Sequence, residues 1–134
     1  LPEASHLGMA KEHISMSAEV TKELLKDIQF LSEYEKENIV NCVLEHHGVK
    51  KYFSIESEVV ANADCYKFVH PKGVFYYASM LGRRFHDFEK EINQLEFKLN
   101  EKHNAISLPI VKEELESYYE FFEKAILEAK KENK

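Results

Sequence analysis

SEYEKENIVNCVLEHHG, residues 32–48, holds a start, a body and a stop for one helix. Ser32 followed three residues later by Glu35 is a capping-box pair, in which each side chain bonds a backbone N–H that the helix leaves unpaired. Ile39, Val40, Val43 and Leu44 recur at the steps of three and four that line one helix face. Gly48 then suits the left-handed turn just past a helix end. The spacing predicts a helix over roughly 33–47.

The flanking sequence follows the same pattern. Residues 1–9, LPEASHLGM, lack periodicity and read as a loop. From about residue 10 to 28, Met16, Val20, Leu24 and Ile28 recur every four residues and predict a helix buried along that row. VKKYFSI (49–55) reads as a loop. A third helix begins near Glu56 and stops before Pro71. A fourth, apolar and aromatic, covers GVFYYASML (73–81), with Gly82 as its expected break or kink. Phe85, Phe88, Ile92, Leu95 and Leu99 mark the next helix. Ser107 with Pro109 opens the last, whose stripe is Val111, Leu115, Tyr118, Phe122 and Ala125. The charged tail EAKKENK (128–134) is expected to fray into solvent. The two long final stripes, joined by EKHNAIS (101–107), predict an antiparallel helical hairpin, since a dimerising coiled coil needs a longer repeat.

The fold class is therefore all-α, a bundle of five or six helices ending in a helical hairpin. Only 4 Gly and 3 Pro in 134 residues leave few turns, which favours long elements. The length fits one domain, with residues 10–68 carrying the chemistry-bearing residues and 72–131 the C-terminal helices. A net charge of −6 argues against a general nucleic-acid or anionic-membrane binder, which needs a basic face. There is no 18-residue apolar run and no signal peptide, so the expected location is cytoplasmic. Cys42 and Cys65 lack metal-type spacing and read as buried free thiols.

His46 and His47 close the second helix one turn after Val43, so imidazole faces the core side. Asp64 lies four residues after Val60 on the semi-buried face of the third helix, where a carboxylate needs a cationic partner or a metal. His13 stands near the start of the first helix. Imidazole and carboxylate together suit divalent ions. The plainer readings are a dipole-compensating histidine at a helix end and a lysine partner for Asp64.

EHISMSAEV (12–20), NIVNCVLEHHG (38–48) and ESEVVANADCYKF (56–68) resemble, in order and approximate spacing, the later part of the HD-domain metal-dependent phosphohydrolases. The resemblance covers about residues 10–68. It implies an HD-like helical domain and hydrolysis of a nucleotide or other small phosphate ester, assisted by a divalent ion (Mn, Fe, Mg, Co or Zn). On the family pattern His13, His46 and His47 match additional ligands of binuclear members, and Asp64 matches the closing aspartate of the signature. Asp64, His46 and His47 thereby become the expected catalytic residues, and His47 is either a ligand or a contact to substrate phosphate.

The chain also departs from that pattern. The family's first histidine and its His-Asp pair belong upstream of His13, and the twelve preceding residues hold no such pair. The one His-Asp dipeptide, His86-Asp87, follows Asp64 in the wrong order and reads as a surface pair. Asn62 stands where the family has the first aspartate of its DAD segment. With its start at Leu1, the chain is expected to be an N-terminally truncated HD-like domain, inactive alone and, with core surface exposed, prone to self-association as a homo-oligomer. Lys50, Lys51, Arg83 and Arg84 read as solvated charges that could neutralise phosphate; His6, His70 and His103 lack motif context. The alternative is a non-catalytic helical binding or regulatory module derived from the HD fold. A carboxylate-bridged di-iron bundle wants paired E-x-x-H motifs, and KEHISM and LEHHG offer Glu-His neighbours but no E-x-x-H.

Overall fold

A computed structural model of the chain describes residues 10–131. The loop expected over residues 1–9, and His6 within it, lie outside the described residues. Six helices and no strand make up the described chain: α1 (Ala10–Leu25), α2 (Glu33–Glu45), α3 (Ile55–Val69), α4 (Pro71–Phe85), α5 (Phe88–Ala105) and α6 (Pro109–Ala129). The all-α expectation holds. The helices group into two compact units, divided between Ala61 and Asn62 within α3.

In the first unit α1 packs on α2. The capping box is formed: Ser32 N–H donates to Glu35 Oε2 at 2.7 Å and Glu35 N–H donates to Ser32 Oγ at 3.2 Å. Gly48 takes φ 98°, the left-handed turn expected of it. The buried face of α1 differs from the expected row. Met16, Val20 and Leu24 are 69%, 59% and 70% exposed, whereas Ala18 and Leu25 are buried against Val40. Ile28, Leu31 and Val43 pack around that group. Met16 lies two residues from Ala18, about 200° around the helix, so one partner helix cannot cover both rows. Small side chains at Ser17 and Ala18 leave room on the face that packs. On α2, Val40 is buried as expected, while Ile39 and Leu44 stay partly exposed.

The junction of α2 and α3 is tied by one carboxylate. Glu45 accepts Phe53 N–H at 3.0 Å and also the hydroxyl of Ser57, which is fully buried. Ser54 Oγ accepts Ser57 N–H at 3.1 Å in the first turn of α3.

In the second unit the core gathers Cys65 and Val69 of α3, Val74 of α4, Leu99 of α5, Ile106, and Leu115, Phe122 and Ile126 of α6. Helix α3 stops where Pro71 requires, and His70 caps α4 by accepting Lys72 N–H on Nδ1. Gly73 is obligatory at this corner: a Cβ there would stand 1.3 Å from the Lys67 carbonyl oxygen. Gly82 does not break α4, which runs on to Phe85. The break comes at His86, in the left-handed region with φ 49°, and Asp87, whose Oδ1 accepts Lys90 N–H to cap α5. The His86-Asp87 pair is helix punctuation, and Phe85 belongs to α4 rather than to the following stripe.

Helices α5 and α6 form the expected antiparallel hairpin. Tyr119 O–H donates to Asn100 Oδ1 at 2.6 Å, the His103 and Tyr119 rings stack at 3.6 Å, and Lys130 pairs with Glu96, so later residues of one helix meet earlier ones of the other. The α6 stripe shifts by one residue at two places: Tyr119 and Ile126 pack inward, where Tyr118 and Ala125 were expected. Ser107 is not the N-cap of α6. Its N–H, and that of Leu108, donate to Oδ1 of the buried Asn62, whose Nδ2 donates to Ser107 Oγ. Glu128 and Ala129, expected in the frayed tail, are helical, and residues 132–134 lie outside the described residues.

Candidate functional site

The first unit brings its three candidate histidines together. His46 and His47 sit just past the end of α2, with ring centroids 4.2 Å apart, and the His13 ring from α1 lies 6.3 Å from that of His46. His13 is exposed, while His46 and His47 are half-buried. His46 Nδ1 is 2.6 Å from the Val43 carbonyl oxygen. A carbonyl only accepts, so Nδ1 carries the proton and Nε2 of the neutral ring presents a lone pair. Backbone bonds of this kind orient metal-ligating imidazoles.

Asp64 belongs to the second unit, half-buried on α3. Its Oδ2 accepts from Lys102 Nζ at 2.7 Å and its Oδ1 from Lys67 Nζ at 2.6 Å. Burial pushes the carboxyl toward protonation, but the hydrogen bonds and charges of the two lysines together outweigh it and hold Asp64 below the usual carboxylate range. The lysine partner, one of the plainer readings of Asp64, is thus present.

Sequence reasoning did not find Lys102. It is only 2% exposed, on α5 beside Leu99. Lys98, one turn earlier, is also buried and pairs with Glu101 at 2.6 Å. The ammonium groups of Lys67, Lys98 and Lys102 stand 5.1, 5.6 and 5.4 Å from the centroid of the Phe68 ring. The available signal was a lysine at each of two positions flanking Leu99 in an otherwise apolar stripe. Asn62 was read only as a departure from a motif, yet it braces the α5–α6 turn.

The thiols are free, as expected. Burial pushes the Cys65 thiol up to about 11, so it is neither a nucleophile nor a thiolate ligand at neutral pH. Cys42 is only partly buried, and its thiol is raised too, first by burial and then by the charges of Glu56 and Glu45.

A divalent ion finds donors of the right kind in neutral imidazole nitrogens, and His46 is oriented to offer one. Among the described residues, however, no group of three or more His, Cys, Asp or Glu side chains is arranged to hold an ion. The donor chemistry fits, and the donor number does not. No described helix is long and apolar enough to cross a membrane. No family model, no curated protein and no solved structure matches the chain.

Proposed function

We propose that this chain carries the histidine-bearing part of a metal-dependent phosphohydrolase of the HD superfamily type, acting on a nucleotide or small phosphate ester. The observation that carries the reading is His46: its Nδ1 lies 2.6 Å from the Val43 carbonyl oxygen, which places the proton there and makes Nε2 the lone-pair nitrogen, and the rings of His13 and His47 are its neighbours. In this reading His13 and His46 supply part of the donor set, with His47 a further ligand or a contact to phosphate, and among the described residues that set falls short of a site for an ion. The resemblance assigns Asp64 as a ligand too; both of its oxygens accept from lysines within the second unit. The family pattern completes the site with a histidine and a His-Asp pair on the N-terminal side of the position that His13 matches, and residues 1–12 hold no His-Asp pair.

The first test is to read the coding sequence upstream of Leu1 for that histidine and His-Asp pair. The second is to assay the protein with those residues on a panel of nucleotides and an aryl phosphate, adding Mn, Mg, Co or Zn singly. Metal-dependent hydrolysis that His46→Ala abolishes supports the reading; hydrolysis that survives it refutes the site.

A second reading has its own observation in favour. The double lysine engagement of Asp64, with the lack of a three-donor group among the described residues, fits a non-catalytic helical binding or regulatory module. An upstream sequence without the His-Asp pair, and a protein that retains no divalent metal by elemental analysis, would favour it.

A further inference from the structure

The second unit holds an open groove of about 900 Å³, lined by three cations, Lys67, Lys72 and Arg83, and by the rings of Tyr66, Phe68, His70, Tyr76 and Tyr77. No carboxylate lines it, in a chain whose net charge is −6. Lys67 is paired with Asp64 at 2.6 Å, which leaves Lys72 and Arg83, both exposed, as the cations that give the groove a local positive field for an anion.

The secondary structure reinforces the field. His70, Lys72 and Gly73 belong to the cap and first turn of α4, and that turn holds no acidic residue, so its positive dipole end is uncompensated. Gly73 lets that turn approach the α3 backbone closely, which places the α4 start beside Lys67 and Phe68. Lys98 and Lys102 also stand around the Phe68 ring, each paired with a carboxylate, Glu101 and Asp64 respectively.

The rings supply the second half of the recognition. Tyr66 and His70 stack at 5.3 Å with only 17° between their planes, and Phe68 meets Tyr77 edge to face at 5.4 Å. Tyr66 is fixed by donating its hydroxyl proton to Glu114 Oε1 at 2.7 Å, which directs that carboxylate to the phenol. Tyr76 is 74% exposed, a large aromatic face available to a ligand. Base-on-aromatic stacking beside a positive groove is the general physics of nucleotide-unit binding.

We propose that this groove binds a nucleoside triphosphate, with its phosphates on Lys72 and Arg83 and its base against the aromatic side chains, Tyr76 foremost. The site lies within the second unit and does not use the imidazoles of the first. It goes beyond the phosphohydrolase reading and stands or falls separately from it.

The experiment is a fluorescence titration of the whole chain with N-methylanthraniloyl-ATP in EDTA, competed by ATP, adenosine and inorganic tripolyphosphate. The expected result is saturable binding that weakens as salt rises, with ATP the strongest competitor. Arg83→Ala and Lys72→Ala, both at exposed positions, should each weaken binding about tenfold or more. Tyr76→Ala should weaken ATP while leaving tripolyphosphate competition unchanged. Circular dichroism and thermal melts of each variant confirm that folding is intact. Tripolyphosphate matching ATP would overturn the nucleoside assignment. An affinity indifferent to all three substitutions would overturn the location, and no saturable binding would overturn the proposal itself. Because EDTA removes divalent metal, loss of the phosphohydrolase reading leaves this result standing, and the reverse holds as well.

Discussion

Asp64→Ala leaves the Lys102 ammonium buried without its carboxylate. Lys102 is 2% exposed and its Nζ bonds Asp64 Oδ2 at 2.7 Å, with the Phe68 ring, 5.4 Å from Nζ, as a weaker neighbour. Breaking a buried ion pair from one side costs about 3–5 kcal/mol. Partial exposure of Asp64 and the cation–π contact to Phe68 set the expectation at the lower end, about 3 kcal/mol. The exposed Lys67 limb contributes at most about 1 kcal/mol of this. Asp64→Ala combined with Lys102→Met removes both charges and should return to within about 1 kcal/mol of the parent. Urea denaturation measures the loss, and hydrogen exchange at the α3 and α5 amides assigns it to the second unit. The pH dependence has a definite sign. The folded-state pKa of Asp64 is lowered, so its contribution is present above the unfolded carboxylate value and is lost as pH falls through the folded one. Relative to the double variant, the parent should therefore lose stability below about pH 4. A cost under about 1 kcal/mol for Asp64→Ala, or a double variant no more stable than the single, would refute the reasoning. The same comparison guards the functional assay, because activity lost in Asp64→Ala reports a missing ligand only if the fold has survived.

Leu24→Ala should change stability by no more than about 0.5 kcal/mol, whereas Leu25→Ala, one residue on, should cost about 2–4 kcal/mol in a chemical melt; the reverse order would mean that the exposed row of α1 is the buried one. Ser32→Ala removes the N-cap acceptor of α2 and should cost about 1 kcal/mol, with Ser32→Gly costing less. Cys65 should resist thiol reagents in the native state and react only on denaturation, while the partly buried Cys42 labels first, as mass spectrometry of timed samples will show. Tyr52 has a buried hydroxyl with no hydrogen-bond partner among the described residues, so Tyr52→Phe should be neutral or raise the melting temperature.

Local chemistry along the chain determined where helices begin and end. The Ser32–Glu35 box, Gly48 and Pro71 act through backbone groups within a few residues of themselves, and each marks its boundary in the structure. The boundary at His86-Asp87 was missed because a left-handed histidine has no strong sequence signature, whereas Gly82, tolerated inside α4, looked like a break. The imidazole grouping was partly legible, since adjacent histidines at a helix end must share a neighbourhood. Which row of α1 is buried was not legible: Met16, Val20 and Leu24 and the Ala18–Leu25 face both satisfy helical periodicity, and only packing against α2 selects one. The partner of Asp64 was equally hidden, lying 38 residues away in sequence. A helix specifies its own period and caps, but burial and charge pairing depend on side chains that only the tertiary arrangement brings within a few ångströms.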